Sequence, residues 1–491
     1  MSQTTTYLES PELLERSVGV ASEPPVSVAS HLAASQQRSS RAPQPAHRPF
    51  NYRQLFWKWH LYAGLFGAPL MILIALTGAL LVFAPEIDRL IRPDLWRIEP
   101  PAGLAANTSL ADQALVDIVR RQFPQSKFSS YRQNSHADEP YQFLMQTPGI
   151  RGVHDVWINQ YTGQIVGQRY RETAVIRVAE QLHRRLLTGE VGSSIIEFIT
   201  GWCIVLTLTG LYLWWPKSLR QLYSGLVPTS RGSAYKVNWR LHNVTGAWTA
   251  AVLLLLAITG MVFSTYTGKM FNMAIAWTGG RKSPPAATAK AKPSADAADA
   301  SPLAIDLLLA KAREAAPAGT KFNVQLSREK GGQGVTISTL RPERATWADR
   351  KNYRTWSFDQ NSGALLSQST WSDTHPLLKF RQLSLVIHFG SVFGLPTKII
   401  AALASLAVPL LAVTGFLIWW WKRPGKAAVA ARPPAVPRAL APATPISPWI
   451  VAGLPLLCLI FPTIGVSFFA VILFESFRAR WRSRRAPALA A

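Results

Sequence analysis

The chain has 491 residues, Lys+Arg 52 against Asp+Glu 27, two cysteines and a formal charge of +25. Length alone would suit about three soluble domains. However, the hydrophobic 48% is gathered in uncharged blocks near the roughly 20 apolar residues that carry a helix across a bilayer, which excludes a soluble class. The basic excess falls between those blocks, so it reads as a topology signal rather than a nucleic-acid footprint.

In chain order, residues 1–50 are rich in Ser, Pro, Ala and Gln without an apolar h-region, and are expected to form a disordered cytoplasmic tail. Residues 51–85 contain the first uncharged run, 61–84, and are predicted as a first span. Residues 86–182 mix acids and bases and are predicted as an outer α/β domain. A helical run, "SLADQALVDIVRRQF", starts from Ser109 with Asp112 in the capping-box position. It is followed by strand-like "YQFLMQT" and by a hairpin, "VWINQYTGQIVGQ", turning at Thr162-Gly163. A second span is predicted over 183–216, closing in Trp214-Trp215.

Residues 217–238 then carry Lys217, Arg220, Arg231 and Lys236 with no acid, as a cytoplasmic loop does. The third span is expected over 239–268 and a second outer domain over 269–387. The latter includes a linker-like insertion at 283–302, a helix opened by Ser301-Pro302, a strand "GVTISTL" and a hairpin turning at Ser362-Gly363. A fourth span is predicted over 388–421, ending in Trp419-Trp420-Trp421, then a basic cytoplasmic linker over 422–446. The segment 447–477 is apolar and reads as one span or as a hairpin turning at 462–465, before a basic tail at 478–491. Cys203 and Cys458 lie inside apolar segments and read as packing residues.

The chain repeats itself. "WKWHLYAGLF…LTG" from Trp57 and "WRLHNVTGAW…ITG" from Trp239 align Trp57, His60, Gly64 and Gly78 with Trp239, His242, Gly246 and Gly260. His183 and His388 each have a glycine six residues on (Gly189, Gly394) and a Thr-Gly pair ending 27 on (Gly210, Gly415). The expected fold is therefore an α-helical integral membrane protein. It is internally duplicated as span, outer domain, span, twice over, with a C-terminal apolar segment or helical hairpin.

These features, the Trp-x-x-His…Thr-Gly spans, the Thr-Gly and Ser-Gly hairpins and the "LTGLYLWWPK" exit, resemble the PepSY-associated transmembrane family over about residues 50–425. That family includes iron-regulated membrane proteins and inner-membrane ferric-siderophore reductases. The resemblance implies PepSY-like outer domains and a multi-pass protein of the bacterial inner membrane with a cytoplasmic N-terminus.

Of nine histidines, the repeated four are the candidates. His60 and His242 open spans entered from the inside, and His183 and His388 precede spans entered from the outside, giving one pair per membrane face. Two imidazoles from opposing helices can clasp a haem, with Gly64 and Gly246 one turn away leaving room for a flat ring. With the family resemblance, the expectation is two haem b groups, with His60/His242 and His183/His388 as axial ligands. Lys58 and Arg240 inside, and Arg184, Arg185 and Arg381 outside, are candidate propionate contacts. Zinc is disfavoured, because the only carboxylates near these histidines are Glu180 and Glu190 beside His183 and no Cys accompanies them. Copper lacks Met or Cys support. Glu197 interrupts an apolar segment and is a candidate for proton or quinol chemistry or a plain hydrogen-bonded acid.

The function so implied is haem-mediated electron transfer from the cytoplasmic side, from a cytoplasmic or quinol donor, to a ferric siderophore outside. An oxidoreductase is expected, with membrane lipid as its surroundings and no nucleic acid. The alternative is a cofactor-free envelope regulator that binds peptidases. A transporter is disfavoured by the apolar mid-span positions.

Overall fold

The computed structural model describes residues 52–101, 109–134, 136–150, 152–280, 302–329, 332–340 and 346–423, with scattered positions between 462 and 477. The tail 1–50, most of the insertion at 283–302 and the linker and basic tail near the C-terminus lie outside the described residues. So does nearly all of 447–477, although Pro462, Thr463 and Gly465, where a hairpin turn was one expectation, have helical backbone.

The helices are α1 (Tyr52–Val82), α2 (Ala84–Ile91), α3 (Pro93–Trp96), α4 (Asp112–Gln122), α5 (Val175–Arg185), α6 (Glu190–Trp214), α7 (Leu219–Leu226), α8 (Ala234–Met261), α9 (Tyr266–Trp277), α10 (Ile305–Glu314), α11 (Trp347–Lys351), α12 (Pro376–His388) and α13 (Leu395–Lys422). The strands are β1 (Lys127–Arg132), β2 (Tyr141–Gln146), β3 (His154–Ile158), β4 (Ile165–Tyr170), β5 (Phe322–Glu329), β6 (Gly332–Thr339), β7 (Arg354–Asp359) and β8 (Leu365–Thr370). Among the described residues four helices, α1, α6, α8 and α13, are long and apolar enough to cross a membrane. Each packs against two others, in the cyclic order α1, α6, α8, α13.

The outer segments do not form two separate domains, as the sequence led us to expect. Their strands join in one eight-stranded antiparallel sheet, ordered β4-β3-β2-β1-β5-β6-β7-β8. The seam is the pair β1–β5, with Ser130, Tyr131 and Arg132 opposite Gln325, Val324 and Asn323. The physical reason lies in alternation. Tyr131, Phe143, Val156, Val324, Ile337 and Trp356 all point to one face and are buried, and that row runs unbroken across the seam. Helices α4 and α10 cover it with Leu115, Val119, Leu308 and Ala312, so both halves share a single core.

The expected helix caps are also replaced. Helix α4 starts at Asp112 rather than from Ser109, and α10 starts at Ile305 rather than at Pro302. The Asp306 carboxylate accepts hydrogen bonds from Asp112 N (2.9 Å) and Gln113 N (3.0 Å), and Gln113 Oε1 accepts one from Ile305 N (3.1 Å). Each helix therefore caps the other across the two halves. The hairpin turns form as their sequences predict. Gly163 and Gly363 take positive φ of 72° and 69°, which glycine adopts without the penalty of a Cβ, and β3–β4 and β7–β8 pair across them.

Between sheet and membrane, the chain does not run straight from His183 into the second span. His183 ends the separate helix α5, Leu186 and Leu187 adopt left-handed backbone (φ 48° and 60°), and α6 begins only at Glu190. His388 likewise ends α12, and Gly390 and Gly394 (φ 66° and 70°) turn the chain into α13. A short helix thus delivers each of these histidines to the sheet-side end of the bundle. The third span ends at Met261, and a further helix, α9, which the sequence reading missed, follows it.

Candidate functional site

The four repeated histidines meet in two pairs. At the end of the bundle away from the sheet, His60 of α1 faces His242 of α8, with ring centres 6.3 Å apart and planes at 89°. At the sheet-side end, His183 faces His388 with ring centres 6.2 Å apart and planes at 47°. Along α1, the level of His60 and that of Gly78, against which His183 rests, are eighteen residues apart, about 27 Å at 1.5 Å per residue.

Each ring is held by the other span of its own half. His60 Nδ1 lies 3.0 Å from Leu206 O and 3.2 Å from Thr209 Oγ1 on α6. In return His183 Nδ1 lies 2.9 Å from Ile74 O and 3.1 Å from Thr77 Oγ1 on α1. In the second half His242 Nδ1 is 3.0 Å from Thr414 Oγ1, and His388 Nδ1 is 2.9 Å from Leu256 O. The glycine after each threonine clears the space. A Cβ on Gly210 would come within 2.9 Å of His60 Cε1, on Gly78 within 3.0 Å of His183 Cε1, on Gly415 within 3.2 Å of His242 Cε1, and on Gly260 within 2.8 Å of His388 Cε1. The Thr-Gly pairs, read in the sequence only as markers of the repeat, are thus the seats of the imidazoles. A Cβ on Gly64 or Gly246 would meet Leu206 or Leu411 only at ordinary contact distances of 3.6 and 3.7 Å.

The sheet-side pair lines a cavity of about 710 Å³ between the spans, with Arg185, Arg381, Lys269 and Glu197 also on its wall. That size is typical of small-molecule sites. Arg381 also lies over the Phe263 ring, 5.8 Å from its centre. Arg184 reaches the cavity too but is bound to Glu180 Oε1 at 2.9 Å. Burial opposes ionisation of Glu180, but the hydrogen bonds from Arg177 and Arg184 outweigh it and hold the carboxyl below its usual range. Lys269 enters from α9, so no reading that lacked that helix could place it. At the opposite end, Arg240 Nε donates to Val227 O at 3.0 Å, and Lys58 is exposed.

Glu197 is fully buried and accepts from Tyr266 N (2.7 Å), Thr267 N (3.0 Å) and Thr267 Oγ1 (2.8 Å). It caps α9 from the neighbouring span, where the first turn of a helix has orphan N–H groups. The second half has its own tie at the same end, Lys398 Nζ to Glu86 Oε1 at 2.5 Å. His154 and His375 have plain structural roles. His154 bonds Gln168 Oε1 (2.8 Å) and stacks on Tyr170, and His375 caps α12 by accepting from Leu377 N.

Four membrane-length helices with a histidine pair near each end of their bundle, under an antiparallel sheet, define a multi-pass helical membrane protein with two partly buried imidazole pairs. No curated protein matches the sequence. The PepSY-associated TM region matches residues 57–423, which covers the spans, the sheet and all four histidines. The chain belongs to that family.

Proposed function

We propose that the protein binds two haem b groups, one in each histidine pair, and passes electrons across the bacterial inner membrane to iron held in a ferric siderophore. The observation that carries this reading is the spacing of the pairs. Two imidazole nitrogens each about 2.0 Å from one metal, in rings whose bonds are about 1.33 Å, put the ring centres roughly 6 Å apart. Both pairs have that separation, at 6.3 and 6.2 Å. Among the described residues no group of three or more His, Cys, Asp or Glu is placed to hold a metal ion. An ion between two histidines could take its other donors from a cofactor, as the pyrrole nitrogens of haem provide. Haem held by two histidines supplies a one-electron centre whose potential is set by its ligands and burial.

The residues of the chain supply the rest. The four histidines fix the centres at the two ends of the bundle. Arg185, Arg381 and Lys269 put positive charge on the wall of the sheet-side cavity, where they would neutralise propionates. Lys58 could do the same at the other end. The basic stretch at Lys217, Arg220, Arg231 and Lys236 lies between α6 and α8, at the end away from the sheet, which the positive-inside rule assigns to the cytoplasm together with the N-terminus. The sheet then faces the periplasm, where the acceptor arrives, and Fe(III) that gains one electron binds hard oxygen ligands less tightly. The donor is a quinol or a cytoplasmic reductant. The repeated motifs and the repeated strand order on either side of the seam support an internal duplication, which would give the two centres related surroundings.

The test is the absorption spectrum and haem content of the purified full-length chain. Two low-spin haem b groups per chain are expected, and a content near zero would refute the proposal and favour a cofactor-free envelope regulator.

A further inference from the structure

Beyond ligation itself, and resting on the two-haem reading, we infer that Thr77, Thr209 and Thr414 are positioning residues that lock the tautomer of the histidine each one faces. Their hydroxyl hydrogens are already committed within their own helices. Thr77 Oγ1 donates to Leu73 O at 2.7 Å, Thr209 Oγ1 to Val205 O at 2.7 Å, and Thr414 Oγ1 to Leu410 O at 2.7 Å. A hydroxyl has one hydrogen to give, so toward the imidazole each of these oxygens can only accept.

The other neighbours of Nδ1 are carbonyls, which also only accept: Ile74 O for His183, Leu206 O for His60 and, in the fourth seat, Leu256 O for His388. Nδ1 must therefore carry the hydrogen in the His60, His183 and His388 seats, and in the His242 seat the Thr414 oxygen, its hydrogen given to Leu410 O, favours the same form. In a neutral ring that leaves Nε2 with a bare lone pair, the form that binds a metal. The seat thus decides which nitrogen ligates before any cofactor arrives. For His60 and His183 the Nδ1–H is shared between a carbonyl and the threonine oxygen, which draws electron density toward Nε2 and strengthens it as a donor.

The arrangement is also crossed. The threonine that seats His183 is on the span that carries His60, and the threonine that seats His60 is on the span that follows His183. Each threonine consequently tunes the centre at its own end of the bundle and leaves the distant centre untouched. A stronger axial donor favours the oxidised iron and lowers the potential, so loss of the threonine acceptor raises it.

The experiment compares Thr77→Val and Thr77→Ser in the purified full-length protein, with the potential of each centre assigned from His60→Ala and His183→Ala variants. Valine keeps the shape without the acceptor, and serine restores the acceptor. The expected result is an upward shift in the midpoint potential of the sheet-side centre in Thr77→Val, no change at the other centre, and wild-type potentials in Thr77→Ser. Thr209→Val is expected to give the reciprocal pattern. An unchanged or lowered sheet-side potential in Thr77→Val, an equal shift at both centres, or a Thr77→Ser variant that behaves like valine would overturn the inference while leaving the haem reading standing. A wild-type protein without haem would overturn that reading and this inference with it.

Discussion

Replacing Glu197 separates a cap from a proton carrier. Its two oxygens accept three hydrogen bonds, of 2.7, 3.0 and 2.8 Å, from a site with no solvent exposure. In Glu197→Ala the amides of Tyr266 and Thr267 and the Thr267 hydroxyl all lose their acceptor. An orphaned buried donor costs about 1–3 kcal/mol, and a helix N-terminus deprived of a nearby carboxylate loses about 0.3–1 kcal/mol more. The hydroxyl can turn to another acceptor, so two orphaned amides and the helix-end term set an expected loss of about 2–7 kcal/mol. Glu197→Gln keeps one oxygen but turns an NH2 group toward a backbone N–H, so about half that loss is expected. The assay is reversible unfolding of the purified protein in mixed detergent micelles, with amide exchange at Tyr266 and Thr267 followed in parallel. Both variants unfolding within about 0.5 kcal/mol of wild type, the usual scatter of neutral substitutions, would refute the capping role and return Glu197 to the proton carriers.

Gly260→Ala would set a Cβ 2.8 Å from His388 Cε1; on the two-haem proposal, haem content is expected to fall from two per chain toward one, measured by pyridine haemochrome assay. The planes of His60 and His242 cross at 89° and those of His183 and His388 at 47°; on the same proposal, two low-spin ferric haems held there would give distinct electron paramagnetic resonance signals, the more anisotropic one disappearing in His60→Ala. Asp306→Ala removes the acceptor of Asp112 N and Gln113 N and should cost about 1–2 kcal/mol, with faster amide exchange at both residues. Asp359 is held below the usual carboxylate range by the Ser362 amide first, then by the Ser362 hydroxyl and the Asn361 amide. Its contribution to the β7–β8 hairpin is thus complete above the unfolded carboxyl pKa of about 4 and lost as pH falls through the depressed folded value. Exchange protection across that hairpin should drop in the same window and become pH-independent there in Asp359→Asn.

Much of this organisation is written in local sequence. The spans follow from uninterrupted apolar runs, the hairpins from Thr162-Gly163 and Ser362-Gly363, and the relation of the four histidines from their repeated spacing. What was not legible depends on contacts between distant segments. Nothing near Ser130 or Gln325 announces that β1 and β5 will pair, because an edge strand and a seam strand have the same alternation. Helix α9 falls across the boundary expected between the third span and the second outer domain, because its N-terminus is capped by Glu197, 69 residues away from Tyr266, rather than by a neighbour in the chain. The Thr-Gly pairs were visible, but their task was not, since a glycine that admits a ring from another helix looks the same in sequence as one that admits a helix backbone.

The seam also bears on how such a protein can be taken apart. A chain ending after the second span would leave the edge of β1 unpaired, with Tyr131 and Phe143 at the margin of a half-covered core. Such an edge recruits another strand. A second copy of the same half could supply one through a two-fold contact, placing His60 beside its own counterpart and His183 beside its own. A half-length chain is therefore expected to assemble as a homodimer with symmetric histidine pairs.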